Sequence, residues 1–143
     1  MEKEFVPYAE ALALKELGFD ENCFAGYESI NKLVYPAAQN KNVTSNARCY
    51  KKLGYQNSHI IKAPLYQQVF RWFRENHDIQ CYVDHWCRDA KIREYHYSIE
   101  YSKNGARHST SSVAEQQYNM LNYEEAELAC LRKLIEIVKE NGN

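Results

Sequence analysis

"IQCYVDHWCRDAKIREYHYSIEYSKNGARHSTSSV", residues 79–113, decides the fold class. Apolar and polar side chains alternate through 79–87 and again through 93–102, the period of an extended strand whose successive side chains point to opposite faces. Between Lys103 and Ala106 stands Asn104-Gly105, the residue pair that best tolerates the positive φ of a two-residue hairpin turn. The stretch therefore predicts a three-stranded antiparallel meander with Tyr95, Tyr97, Ile99 and Tyr101 on one face. Its third strand is rich in hydroxyls and belongs at an edge.

The flanking segments read as helices that cover such a sheet. "APLYQQVFRWFREN" (63–76) sets Leu65, Tyr66, Val69, Phe70, Trp72 and Phe73 along one stripe, with Trp72 at its margin, and places Arg71 and Arg74 opposite. "NYEEAELACLRKLIEIVKEN" (122–141) opens with the capping pair Asn122 and Glu125 and buries Leu128, Leu131, Leu134, Ile135 and Val138. Glu127 falls inside that apolar arc. Earlier in the chain, Pro7 and Gly18 bracket a helix over 7–17, and short strands are predicted at 23–29 and 32–36. Ser45 and Gly54 bracket a further helix of about two turns. The expected fold class is α+β: an antiparallel sheet with a three-stranded meander, packed on one face by helices including a long C-terminal helix, in a single domain over 1–143.

Composition narrows the function classes. The chain has 143 residues, 45% of them hydrophobic and 26% charged, enough to bury a core without a disulfide or metal staple. Five cysteines, an odd number without a CxxC pair, fit reduced thiols. No run approaches the roughly 18 apolar residues of a membrane span, so a cytoplasmic protein is expected. The glycines are isolated, which removes the phosphate-cradling GxGxxG and P-loop patterns, and HExxH and GxSxG are absent. Cys81, His85 and Cys87 share a face of one strand, but at ~3.3 Å per residue the first two lie about 13 Å apart, too far for one tetrahedral ion. No cofactor or metal is expected.

Net charge is −1, yet it is distributed unevenly. Residues 1–28 carry seven acids and two bases, residues 29–74 eight bases and no acid, and residues 75–143 twelve acids and eight bases. On the predicted helix over 45–54, Arg48, Lys51 and Lys52 fall at i, i+3 and i+4 and so share a face. With Arg71 and Arg74 they form a cationic set suited to phosphate, Tyr55 or Trp72 offers an aromatic platform, and "RHSTSS" supplies Arg107 and the hydroxyls of Ser109 and Thr110. A long nucleic acid is disfavoured by the acids after residue 74 and a pI of about 6.5.

Three segments, "FVPYAEALALKELGFDENCF", "YQQVFRWFREN" and "YEEAELACLRKLIEIVKEN", resemble a family of small, largely uncharacterised proteins of gut Bacteroides genomes and their phages. The resemblance covers about fifty residues and implies a phage or prophage accessory protein inside a bacterial host cell. It implies no catalytic residue. Together with the charge pattern it leads to the expectation of a non-catalytic protein that holds a small anionic, nucleotide-like molecule and sequesters a host defence signal. The alternatives are an inhibitor or adaptor that docks on a host protein through a basic, tyrosine-rich surface, and a small enzyme using Cys/His or Glu127. A homodimer is compatible with any of them.

Overall fold

The computed structural model describes residues 2–30, 32–35, 60–89, 92–116, 120 and 122–142. They fall into two compact units, Met1–Leu65 and Tyr66–Asn143. In each, helices and an antiparallel sheet share a core, so the fold is α+β. The predicted helix over 45–54 lies outside the described residues.

In the first unit, helix α1 spans Tyr8–Glu16. Pro7 caps its start at φ −60°, where the missing N–H is not needed, and Gly18 ends it at φ +94°, a left-handed conformation that glycine adopts without strain. The amide of Phe19 then donates back to the Leu14 carbonyl. Strand β1 (Ala25–Ser29) is central, flanked antiparallel by β2 (Lys32–Val34) and β3 (Ile61–Ala63). The two predicted short strands thus pair with each other, and β1 is joined on its other side by a strand that sequence periodicity missed. Three residues are too few to show alternation, although Pro64 biases Ala63 toward an extended backbone. Packing of α1 against β3 buries Val6, Leu14, Ala25 and Ala63 completely.

In the second unit, α2 (Tyr66–His77) leads into a meander of β4 (Gln80–Asp89), β5 (Ile92–Lys103) and β6 (Ala106–Ser111), followed by α3 (Tyr123–Asn141). The strand order is β4-β5-β6, all antiparallel. Asn104 and Gly105 take φ of +52° and +76°, the turn that their sequence predicts. Asn122 caps α3 by accepting a 2.8 Å hydrogen bond from the Glu125 amide.

Helix α3 packs against β4, β5 and α2. Tyr97, Ile99, Phe73, Val69, Cys130, Leu131 and Leu134 are fully buried there, each large apolar side chain contributing about 1.5–3 kcal/mol of burial. Of the predicted tyrosine face, Tyr97 and Ile99 form the buried centre, while Tyr95 and Tyr101 are half-buried. Among the described residues, no helix is long and apolar enough to cross a membrane.

Candidate binding surface

Four of the expected ligand-binding residues, Arg48, Lys51, Lys52 and Tyr55, lie outside the described residues. The other six, Arg71, Trp72, Arg74, Arg107, Ser109 and Thr110, are described. Arg71 is exposed on α2 with its Nε 4.0 Å from Glu75 Oε2. Trp72 faces inward instead of standing at the margin of the stripe. Only 6% exposed, its indole is edge-on to Phe73 at 5.0 Å and to His77 at 4.7 Å. Arg107 lies between two carboxylates, 3.6 Å from Asp78 and 3.7 Å from Glu100. Its positive charge is thereby matched locally.

Ser109 and Thr110, expected to serve one ligand, belong to opposite faces of the sheet. Register pairs Ser109 with Glu100 and Thr110 with Ile99. Ser109 is exposed, whereas Thr110 donates to Glu115 Oε1 at 3.3 Å. The same carboxylate accepts from the Tyr97 hydroxyl at 3.1 Å and lies 2.6 Å from Lys133 Nζ, which also reaches Glu136 at 2.9 Å. Burial alone would push the Glu115 carboxyl up, but the bonds from Lys133, Tyr97 and Thr110 prevail and hold it below its ordinary range. Reciprocally, the hydrogen bond to Glu115 raises Lys133 to about 12. This network ties β5, β6 and the following turn to α3, and it accounts for Thr110 structurally.

The other face of the meander has a different character. Tyr82, Asp84 and Trp86 alternate outward along β4, opposite Ser98, His96 and Glu94 of β5, with Glu100, Arg107, Ser109 and Ser111 completing the face. Tyr82 is 57% and Trp86 52% exposed, and Trp86 leans on the His96 ring at 4.7 Å. Asp84, Glu94 and Glu100 stand on this face, Glu100 with its Oε2 3.7 Å from the Arg107 guanidinium. Among the described residues, β4 pairs only with β5 and forms an edge of its sheet.

Beneath that face, on the side covered by α3, lies a cluster of chemically reactive groups. Cys81 projects inward from β4, half-buried, and the neighbouring Cys130, fully buried on α3, lowers its thiol. Glu127, one turn before Cys130, is 9% exposed; burial first and then its carboxylate raise the nearby Tyr123 phenol. Arg74 of α2 places its positive charge within reach of Cys81. His85 and Cys87, farther along β4, are exposed, and His85 stands against Tyr95 and Asp84. Sequence spacing gave no hint of the Cys81 and Cys130 encounter, because it joins residues far apart in the chain.

Comparison with protein-family models, with curated proteins and with solved structures yields no match.

Proposed function

We propose that the protein is a non-catalytic binding protein that docks a partner protein on the outward face of β4 and β5. The observation that carries this reading is the exposure of Tyr82 and Trp86 on the same strand face, with Asp84 between them. Leaving two large aromatic rings half in water forfeits part of the stabilisation that burying them would bring. Tyrosine and tryptophan are also the side chains that most often anchor protein interfaces.

Charge selects the kind of partner. The exposed Asp84 carboxylate between the two rings favours a segment bearing lysine or arginine, whose cations also gain from lying over an aromatic face. The basic surface expected around Arg48, Lys51 and Lys52 lies outside the described residues, and the aromatic face proposed here is a separate one. A small anionic ligand has weaker support, since Arg71 and Arg107 have carboxylate neighbours and Trp72 is buried. The resemblance to phage proteins supports a bacterial host cell as the setting.

The test is affinity capture from Bacteroides lysate by the wild-type chain and by the Tyr82→Ala/Trp86→Ala double variant, both checked for native circular dichroism. A protein held by the wild type should dissociate at raised salt, and the double variant should bind it at least ~30-fold more weakly, an anchor loss of about 2 kcal/mol. Equal capture by both would contradict the reading. Equal capture combined with a thermal shift in a nucleotide panel would direct attention back to a small anionic ligand.

A further inference from the structure

We infer that the partner's docking segment adds as an extended antiparallel strand to the outer edge of β4, with a lysine or arginine beside Asp84 and an apolar side chain two residues to either side of it. The inference rests on the docking role proposed for Tyr82 and Trp86 and supplies the form that the partner takes. Hydrogen-bond phase shows which backbone groups this edge offers. In an antiparallel pair, opposed residues alternate between exchanging both bonds and exchanging none. On β5, the Tyr97 amide donates to Ser112 Oγ at 3.2 Å, its carbonyl accepts from the Ser112 amide at 3.1 Å, and the Tyr95 amide donates to the Met120 carbonyl at 2.9 Å. Both tyrosines thus direct their backbone groups away from β4. Their opposites, Val83 and His85, therefore exchange no bonds with them and turn their own amides and carbonyls to the outer edge. Cys81 is in the same phase, opposite Ile99. Among the described residues, no strand pairs with this side of β4.

Two features mark the edge as one that receives a strand. Edges that must stay unpaired are blunted by brevity, lysine or proline. Strand β4, "QCYVDHWCRD", is ten residues long, holds neither lysine nor proline, and exposes Tyr82 and Trp86. At the opposite edge β6, "ARHSTS", has six residues and no tyrosine or tryptophan. The second feature is the His85 amide, which donates to Asp84 Oδ1 at 2.7 Å. A carboxylate therefore stands at the outer edge, midway between the two rings, on an amide that an added strand would use.

Strand addition fixes what the partner presents. In an antiparallel partner, residues opposite Cys81, Val83 and His85 exchange backbone bonds with them. Residues opposite Tyr82, Asp84 and Trp86 exchange none and bring their side chains closest, with Cβ atoms about 4.5–5.5 Å apart. A cation opposite Asp84 draws the carboxylate off the His85 amide, and a carbonyl of the incoming strand takes its place. Apolar side chains two residues to either side then lie against the Tyr82 and Trp86 rings. The recognised pattern is apolar-x-Lys/Arg-x-apolar in an extended segment. Main-chain bonds supply its affinity, and the alternate side chains supply its selectivity.

The test titrates the full chain by NMR with acetylated, amidated peptides Thr-X-Thr-Lys-Thr-X-Thr, where X is valine, isoleucine, phenylalanine or tyrosine. At least one should bind with a Kd below about 1 mM and protect the Val83 and His85 amides from hydrogen exchange. N-methylation of the two threonines that flank the lysine removes the amides facing β4 and should weaken binding about 10- to 30-fold. N-methylation of the lysine, whose amide faces away, should cost less than about twofold. Replacing the lysine by glutamate should weaken binding to the wild type and make no difference to Asp84→Asn. The decisive comparison uses modified peptides on the wild-type chain, so it does not depend on how a variant folds. No binding by any peptide, equal loss from either N-methylation, or unprotected Val83 and His85 amides would overturn strand addition. The docking reading is judged apart from this: a peptide weakened by Tyr82→Ala/Trp86→Ala but not by threonine N-methylation would keep the aromatic face and remove the strand.

Discussion

Single residues show where charge is structural and where it is available. Glu115 is the clearest structural carboxylate, joined to Tyr97, Thr110 and Lys133 in a partly buried setting. Because its folded-state ionisation is depressed below 4.5, its contribution is complete above that pH and disappears as pH falls through the lowered value. Lys133, raised from 10.5 to about 12, contributes fully below 10.5 and loses that contribution as pH rises through about 12, a shift worth roughly 2 kcal/mol. Glu115→Gln should therefore destabilise the chain by about 1–2 kcal/mol at neutral pH, and the variant's urea midpoint should change less than the wild type's between about pH 6 and 3. His77 adds to acid sensitivity from the other side. Burial lowers it, so the unfolded chain takes up its proton first, and stability declines as pH falls through 6.5. Sequence could have separated Ser109 from Thr110, since neighbours on a strand face opposite ways. The burial of Trp72 was not legible, because it depends on where the His77 and Phe73 rings fall.

At the level of elements, periodicity identified α2, α3 and the meander, because each extends over several turns or alternations. It missed β3, whose three residues take their identity from pairing with β1. It also passed over the meaning of Tyr82 and Trp86. They alternate out of phase with Cys81 and Val83, so one set had to face outward once α3 covered the other. The two tryptophans now report separately on two elements, Trp72 from the inward side of α2 and Trp86 from the outward side of β4. Acrylamide should quench only part of the native tryptophan emission, and Trp86→Phe should abolish the accessible part while leaving a protected signal. Uniform quenching, or a protected component lost with Trp86, would contradict the assigned faces.

At the level of the whole molecule, the contrast lies between a surplus of positive charge in the middle of the sequence and an exposed aromatic face on the described meander. Four of its eight bases, Lys41, Arg48, Lys51 and Lys52, lie outside the described residues, and of the four that are seen, Lys32 pairs with Glu28, Lys62 with Asp20 and Arg71 with Glu75. The second unit, in contrast, presents a sheet with one face given to α3 and the other to Tyr82, Trp86 and carboxylates. The proposed docking role follows from that division. Its most direct measurement is photo-crosslinking in the cell that produces the protein, with benzoylphenylalanine replacing Tyr82 and, as a control, replacing exposed Glu140 on α3. A covalent adduct with a different protein at position 82 and none at position 140 is the predicted result. No adduct at 82, equal adducts at both positions, or an adduct only with a second copy of the chain would contradict it.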